Sequence, residues 1–313
     1  DNLAVKGAAW AAFDRSDADG VVTTGIEHKA VLGAADRLRR QGARVSIVPA
    51  TRAGTVDLEH LASVLDDRTA VVSVMLVNNE TGIVQPLREV AALVRDRAPR
   101  AVLHTDAVQA PQWIDLGTAC ADADLVAISG HKFGGPKGVG ALVRRRGVEL
   151  VPLVEGGGHE WGLRAGTQNV AGIVALAAAL AATHEQREVE LARISMLRDR
   201  LEAGLLAAVP DLVVNGDPAL RVDGLLHVGF PGVEAETLLV ALDRDGIEAA
   251  SGSACSSGAI DPSHVLVAMG LDSAAARSSI RFSLGYASVA ADVDAALAAV
   301  PRAVAGLRAA SAV

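Results

Sequence analysis

The stretch Leu125-Val126-Ala127-Ile128-Ser129-Gly130-His131-Lys132 joins a short apolar run to a lysine that follows it almost directly. The apolar half predicts a buried strand, and the small Ser129-Gly130 pair predicts a tight turn after it. Gly134-Gly135-Pro136 follow after Phe133, so small residues on both sides of Lys132 allow the backbone to approach a ligand closely. The stretch therefore predicts a strand whose carboxyl end carries a lysine in a glycine-rich turn.

Similar apolar runs recur through the N-terminal part of the chain, and stretches of helical character separate them. Strands too apolar to face water are typical of parallel sheets covered by helices. Ligands of such sheets bind at the carboxyl ends of the strands, where Asn79, Asp106 and Lys132 fall. The sequence predicts an α/β fold with a largely parallel sheet, and strands are expected at 21–23, 45–48, 70–77, 101–103, 125–128 and 141–143.

The pattern changes at Glu185, where a long amphipathic helix is predicted over 185–200. We therefore expect a large domain over residues 1–185 and a smaller C-terminal α+β domain over residues 186–313. An apolar run at 170–182 predicts a packed helix too short to span a bilayer. Further helices are expected at 2–13, 234–243 and 289–308, and further strands at 225–228 and 279–283.

Composition excludes several classes of function. The formal net charge of −8 and the scattered lysines and arginines leave no basic stripe for nucleic acid. Two cysteines, Cys120 and Cys255, rule out a disulfide framework and suit a reducing compartment. No membrane or secretory segment, metal-ligand spacing or nucleotide loop is visible. We expect a soluble cytoplasmic protein with no metal and no direct contact with nucleic acid.

Three residue types combine into one prediction of chemistry. Lys132 is suited to form a Schiff base, and Asp106, just after the run at 101–103, can pair with a pyridinium nitrogen. Cys255 lies in the Gly/Ser-rich stretch 251–258, whose small residues favour mobility. Taken singly, such a lysine is usually on the surface, such an aspartate caps a helix, and a cysteine is a small hydrophobe. The combination predicts pyridoxal-phosphate chemistry that ends on sulfur.

Other candidates keep two interpretations each. Arg281, in an otherwise apolar strand, is either a fork for a substrate carboxylate or part of a structural salt bridge. His28 is either a helix-start residue or a ring stacked over a flat cofactor. The glycines at 156–158, followed by Arg164-Ala165-Gly166-Thr167, form either a flexible turn or a phosphate-binding loop.

Six motifs carry a resemblance to a known family. Together they closely resemble the cysteine desulfurases, class-V aminotransferase-like enzymes of pyridoxal-phosphate fold type I, over residues 1 to about 308. The motifs are Glu27-His28-Lys29-Ala30-Val31, Val77-Asn78-Asn79-Glu80-Thr81-Gly82, Asp106-Ala107-Val108-Gln109, Ser129-Gly130-His131-Lys132, Gly156-Gly157-Gly158-His159-Glu160 and the stretch 251–257.

The resemblance implies a role for each matching position. Lys132, Cys255 and His28 would be catalytic: the lysine would hold the cofactor and shuttle protons, the thiol would accept sulfur, and the imidazole would stack on the ring. Asp106 would keep the pyridine nitrogen protonated. The other implied contacts are Asn79 and Gln109 near the substrate and ring oxygen, Ser129 and His131 at the phosphate, Thr167 at the phosphate of a neighbouring subunit, and Arg281 at the substrate carboxylate.

The family's reaction is then expected of this chain. L-Cysteine would be the substrate, pyridoxal 5'-phosphate the cofactor, and L-alanine and a persulfide on Cys255 the products. A sulfur-acceptor or iron–sulfur scaffold protein would receive that sulfur for iron–sulfur cluster assembly or thiolation. A neighbouring subunit's contribution implies a homodimer. Family members also carry a preceding segment with a phosphate-binding Gly-Ala-Thr turn, and this chain begins just after it.

Two alternatives remain open at this stage. A selenocysteine lyase or cysteine-sulfinate desulfinase would use the same lysine-based chemistry on another substrate. A non-catalytic partner of a sulfur pathway would need no reactive groups at all. The presence of Lys132, Asp106 and Cys255 together favours an enzyme over such a partner.

Overall fold

The computed structural model describes residues 1–252 and 261–311. The chain divides into two compact units. Unit 1 comprises Asp1–Ala50, Thr55–Asn78 and Gln85–Gln186, and unit 2 comprises Thr51–Gly54, Asn79–Val84 and Arg187–Val313. Two short segments from the N-terminal half therefore group with unit 2, and the domain boundary between residues 185 and 186 stays a prediction.

Unit 1 is built on a six-stranded sheet in the order β2-β1-β3-β4-β5-β6. The pairs among β1 to β5 are parallel, and β6 runs antiparallel to β5 at the edge. The largely parallel α/β sheet is thus confirmed. The strands are β1 (Gly20–Thr24), β2 (Arg44–Val48), β3 (Thr69–Ser73), β4 (Val102–Asp106), β5 (Leu125–Ser129) and β6 (Gly140–Arg144).

Helices of unit 1 follow most of these strands and bury their apolar sides. A fully buried cluster joins Val5 and Leu38 from helices to Val21, Val71 and Leu125 from strands. Burial of such side chains contributes about 1.5–3 kcal/mol each. The helices are α1 (Asn2–Phe13), α2 (Lys29–Arg40), α3 (Leu58–Val64), α4 (Leu87–Arg97) and α5 (Leu116–Ala119); α6 (Val170–Ala208) begins in unit 1 and ends in unit 2.

Unit 2 carries a three-stranded sheet in the order β7-β8-β9, with both pairs antiparallel. Its strands are β7 (Val213–Val214), β8 (Leu225–Gly229) and β9 (Ser279–Ser283). Its helices are α7 (Ala235–Arg244), α8 (His264–Ala268), α9 (Ser273–Arg277) and α10 (Ala290–Ser311). Short 3-10 turns occur in unit 1 at Gly130–Lys132 and His159–Gly162, and in unit 2 at Pro218–Leu220.

Two expectations from the sequence need correction. The strand predicted at 70–77 ends at Ser73, although the Val74 and Leu76 amides still donate to carbonyl oxygens of β4 at 3.1 and 2.9 Å. The run at 170–182 is helical, but Val170 and Val174 are 67% and 62% exposed, so this face is not packed as predicted. Within the described ranges, no helix is long and apolar enough to cross a bilayer.

Candidate active site

The carboxyl ends of β4 and β5 bring two of the expected site residues to one edge of the unit 1 sheet. Asp106 is the last residue of β4 and lies opposite Ala127 in the parallel β4–β5 register. Lys132 ends the 3-10 turn that follows β5 directly. Neighbouring strand ends in a parallel sheet are where ligands bind.

Asp106 sits in an environment that disfavours an isolated charge. Its side chain is only 4% exposed, and Oδ1 accepts a hydrogen bond from the Val108 amide at 2.9 Å. Burial raises the pKa of the carboxyl above its usual value, while the hydrogen bond from the Val108 amide and the positive charge of Lys132 partly oppose that rise. A buried carboxylate of this kind favours a cationic group as its ligand.

The turn after β5 is held tightly, which fixes the backbone at Lys132. The Gly135 amide donates to the Gly130 carbonyl at 2.8 Å, and Gln112 Nε2 donates to the Lys132 carbonyl. A Cβ at Gly135 would lie 2.9 Å from the Gly130 oxygen, so no larger residue fits there. The glycines predicted to allow close backbone approach are therefore used to fold the turn itself.

Ser129 and His131 lie side by side at the start of this turn. Ser129 Oγ and His131 Nδ1 are 2.9 Å apart. Burial and the nearby charges of Lys132 and Lys137 lower the pKa of His131. A hydroxyl and an imidazole beside two ammonium groups form a surface suited to an anion.

His28 occupies the N-cap of α2, where its Nδ1 accepts from the Ala30 amide at 3.2 Å. The helix-start interpretation is therefore correct for its backbone position. Because Nδ1 is an acceptor, the proton of the neutral ring is on Nε2. The ring is half-buried. Capping and stacking are compatible, because a hydrogen bond to Nδ1 uses the edge of the ring and stacking would use a face.

Glu27 was quoted only as part of a motif, and the structure gives it a specific position. Its side chain is fully buried, and Oε1 accepts from Thr24 Oγ1 and from the Met75 amide, both at 2.8 Å. It thereby joins the ends of β1 and β3. Burial raises the pKa of Glu27 to about 8, against the hydrogen bonds from Met75 and Thr24. The sequence offered only a carboxyl beside the apolar Ile26, shortly after a buried strand, and this does not identify its partners.

Replacing Glu27 by glutamine is expected to flatten the pH dependence of stability. Because the folded-state pKa is near 8 and the ordinary value is 4.5, the native state retains the proton that the unfolded chain releases. The contribution is complete below about pH 4.5 and is lost as pH rises to about 8. Urea unfolding across this window should show wild type losing stability relative to Glu27→Gln. The exposed Glu59→Gln variant should follow wild type; parallel curves for wild type and Glu27→Gln would contradict the assignment.

His104 was also missed as a support for Asp106. Its Nδ1 lies 2.8 Å from Ser73 Oγ, and the two residues are register partners between β3 and β4. Complete burial holds the pKa of His104 well below its usual range, so the ring is neutral. This contact fixes β4 two residues before Asp106.

Gln109 and Thr167 lie in unit 1 without contributing to the hydrogen bonds described above. Gln109 is half-buried in the turn after β4, close in sequence to Asp106. Thr167 is exposed shortly before α6. Their predicted contacts to cofactor and to a neighbouring subunit stay predictions.

Asn79 and Arg281 both belong to unit 2 and are in contact there. Arg281 Nη1 donates to the Asn79 carbonyl at 2.7 Å. Arg281 on β9 faces His227 on β8, whose pKa is lowered to about 3 by burial and by Arg281. Asn79 does not follow a strand directly, because β3 ends at Ser73. The arginine's guanidinium is thus anchored through a backbone carbonyl.

The two cysteines differ in what can be said of them. Cys255 lies outside the described residues. Cys120 is buried, and burial followed by the charge of Asp115 raises its thiol pKa to about 11, as suits a small hydrophobe without a reactive thiolate. Within 1–252 and 261–311, no group of three or more His, Cys, Asp and Glu side chains could hold a metal ion.

The chemistry of the unit 1 residues fits pyridoxal phosphate. Asp106 is a buried carboxylate for a protonated ring nitrogen, and Lys132 supplies an amine on the neighbouring strand end. Ser129 and His131 form a hydroxyl and imidazole pair near two lysines, which suits a phosphate. The fit rests on these side chains alone.

The chain matches the aminotransferase class-V family over residues 1–296. A solved NifS-like protein aligns with a TM-score of 0.89 at 34% identity, covering 97% of this chain and 80% of that one. The crystal structure of DndA from Streptomyces lividans aligns with a TM-score of 0.77 at 37% identity, covering 90% and 79%. The chain belongs to the aminotransferase class-V family, and the predicted fold type is confirmed.

Within the aminotransferase class-V family, the similar proteins include cysteine desulfurases. An IscS-like cysteine desulfurase of Mycobacterium tuberculosis is 45% identical, over 98% of this chain and 79% of the relative. A cysteine desulfurase of Nostoc sp. is 43% identical, over 99% of this chain and 76% of the relative. The resemblance to the cysteine desulfurases that the motifs predicted is confirmed by these relatives.

Proposed function

We propose that this chain is a pyridoxal-phosphate-dependent cysteine desulfurase. It would take the sulfur of L-cysteine onto the Cys255 thiol, leaving L-alanine and a cysteine persulfide. The observation that carries the proposal is the parallel pairing of β4 with β5, because it brings Asp106 and Lys132 to one edge of the sheet. The kinship with cysteine desulfurases supports the choice of substrate.

The unit 1 residues divide the work of holding the cofactor. When bound, pyridoxal phosphate supplies an electron sink for charge that develops on the substrate. The amine of Lys132 would link to it covalently and then carry a proton. The turn after β5 fixes the backbone from which this side chain extends. Asp106 would keep the ring nitrogen protonated, His28 would cover the ring, and Gln109 would hydrogen-bond its oxygen. Ser129, His131 and a neighbouring subunit's Thr167 would hold the phosphate.

Residues of unit 2 would bind the substrate. Arg281 would pair with the L-cysteine carboxylate, and Asn79 would hydrogen-bond nearby. Their mutual contact of 2.7 Å supports a common role, because it fixes the guanidinium before substrate arrives. Attack by the Cys255 thiolate on the substrate sulfur breaks the Cβ–S bond and forms the S–S bond of the persulfide. The electron pair of the broken bond would stay with the carbon skeleton, and Lys132 would deliver the protons that complete alanine at Cβ and at Cα.

The same proposal includes a sulfur acceptor, an oligomeric state and a compartment. The persulfide would be passed to a sulfur-acceptor or iron–sulfur scaffold protein, for cluster assembly or thiolation. The enzyme would work as a cytoplasmic homodimer, in which Thr167 crosses to the neighbouring site. Its exposed position in a single chain supports that arrangement.

The test is a visible absorbance spectrum of the purified chain with pyridoxal phosphate, before and after L-cysteine, with alanine measured in the same tube. We expect a band from the lysine-linked cofactor, a shift of that band on adding L-cysteine, and alanine. A folded chain that shows no band, or a band but no alanine, would contradict the proposal. Selenocysteine and cysteine sulfinate serve as comparison substrates, and a clear preference for either would reassign the substrate.

Exchanging Asp106 for asparagine is expected to lower the rate of alanine formation by about 100-fold or more. The amide is nearly isosteric but carries no charge to keep the ring nitrogen protonated. Steady-state kinetics at saturating cofactor measure the effect. Asp115→Asn, which retains a helix-capping side chain on α5, is the matched control and should behave like wild type. Near-normal activity of Asp106→Asn would remove Asp106 from the site.

A further inference from the structure

Glu80 contacts Gly252 and Ser263, two described residues that lie on either side of Cys255 in the sequence. In sequence, Glu80 is one residue of the motif at 77–82, and the motif alone predicts no role for it. Its side chain is 2% exposed, and it follows Asn79 in the short segment Asn79–Val84 that groups with unit 2. A buried carboxyl that contacts two distant points of the chain calls for a physical explanation.

Ser263 provides the contact on the C-terminal side of Cys255 in sequence. Its hydroxyl donates to Glu80 Oε2 in a buried hydrogen bond, and its oxygen accepts from the Leu266 amide at 3.3 Å as the N-cap of α8. A hydroxyl has one proton to donate, and here the carboxyl oxygen receives it. Ser263 therefore begins α8 and attaches that beginning to Glu80.

Gly252 provides the contact on the N-terminal side of Cys255 in sequence. Its φ is +76°, and a Cβ built on it would clash with Glu80 Oε2 and lie 3.0 Å from Cδ. The carboxyl group thus packs directly on the backbone of Gly252. Only glycine meets both requirements, the left-handed conformation and the close approach.

Ala250, close to Gly252 in sequence, is attached to the arginine proposed to bind substrate. The Arg281 amide donates to the Ala250 carbonyl at 2.6 Å, and the Ala250 amide donates back to the Arg281 carbonyl at 3.1 Å. Arg281 in turn donates from Nη1 to the carbonyl of Asn79, the residue before Glu80. Asn79 and Glu80, adjacent in one segment, thereby contact Arg281 on one side and Gly252 and Ser263 on the other.

We propose that Glu80 is a positioning residue that holds Gly252 and Ser263, the described residues it contacts on either side of Cys255 in sequence, in place relative to Arg281. This inference rests on the proposed function, because its consequence is the distance from which Cys255 reaches the substrate sulfur. Misplacement of a reacting group by about 1 Å can cost about 100-fold in rate. Loss of either attachment should therefore slow sulfur transfer more than it weakens substrate binding.

The kinetic test compares Glu80→Ala, Glu80→Gln and Ser263→Ala with wild type. We expect Glu80→Ala and Ser263→Ala to lower kcat for alanine by about 10- to 100-fold, with little change in the L-cysteine concentration that half-shifts the cofactor spectrum. Glu80→Gln keeps an acceptor for Ser263 and should recover most of the rate. Asp272→Ala is the matched control, because Asp272 is the N-cap of α9 and its side chain accepts from the Ala275 amide at 2.8 Å. It should leave kcat near wild type.

A second readout uses the full chain without cofactor or substrate. Elastase cleaves after small residues, which are abundant between Gly252 and Ser263. Mass spectrometry measures the rate of cleavage in this interval. We expect that rate to be about tenfold higher in Ser263→Ala and Gly252→Ala than in wild type or Asp272→Ala. This arm does not depend on catalysis, and it does not require Glu80→Ala to fold.

The outcomes separate the two proposals. Wild-type cleavage rates and wild-type kcat in Ser263→Ala would overturn the role of Glu80. An equal loss of kcat in Asp272→Ala and Ser263→Ala would also overturn it, because the effect would then follow from weakening any short helix of unit 2. A wild-type chain that makes no alanine would overturn the proposed desulfurase instead, while the elastase comparison still decides the attachment.

Discussion

Lys132→Ala is expected to abolish the visible band of the covalently bound cofactor and to reduce alanine formation by at least about 1,000-fold. Lys132 ends the 3-10 turn that follows β5, and β5 is the neighbour of β4, the strand that ends in Asp106. The variant removes both the amine that links the cofactor and the group that carries the proton. Absorbance spectra and alanine assays measure the two losses separately.

Lys137→Ala is the matched control for this variant, because it removes another lysine from the same glycine-rich region. It should retain the band, with at most a weaker affinity for the phosphate-bearing cofactor, since Lys137 acts on His131 through its charge. A band that survives in Lys132→Ala and disappears in Lys137→Ala would reassign the cofactor linkage.

Cys255→Ser is expected to leave cofactor binding intact and to eliminate transfer of sulfur to the protein. The hydroxyl is close in size to the thiol but cannot accept sulfur as a persulfide. The L-cysteine-induced spectral change should therefore remain while alanine formation falls to background. Intact-protein mass spectrometry and the alanine assay read the outcome.

Cys120→Ala is the control for Cys255→Ser. Cys120 is buried and its thiol pKa is raised to about 11, so its removal should leave sulfur transfer unchanged. Normal alanine formation by Cys255→Ser, or added sulfur that maps to Cys120, would reject Cys255 as the acceptor.

The parts of the fold that the sequence predicted are those that burial determines. Strands β1 and β5 are buried along almost their whole length, and the apolar residues at their centres were enough to locate them. The end of β3 was overestimated because residues 74–77 are equally buried while their backbone leaves the regular ladder. The exposure of Val174 was missed because an apolar composition does not report which helix faces find a partner.

The candidate site divides in the same way. Asp106 and Lys132 could be expected to lie at the same end of the sheet, because both follow strand-like runs and the carboxyl ends of parallel strands lie together. Glu27 and Glu80 could not be interpreted from their neighbours in sequence. Their roles depend on tertiary contacts, such as the bond between Glu80 and Ser263 across 183 positions. A charged residue beside apolar or small residues marks such positions, but its partner emerges only in the fold.

The most direct measurement of the central claim is a single turnover with the cofactor-loaded chain and a limiting amount of L-cysteine, without acceptor or reductant. Alanine is quantified, and peptide mapping by mass spectrometry locates the sulfur. We predict one added sulfur on Cys255 for each alanine released, and neither product in Lys132→Ala. Alanine accompanied by free sulfide from the outset, with Cys255 unmodified, would contradict sulfur transfer to this thiol as the function of the chain.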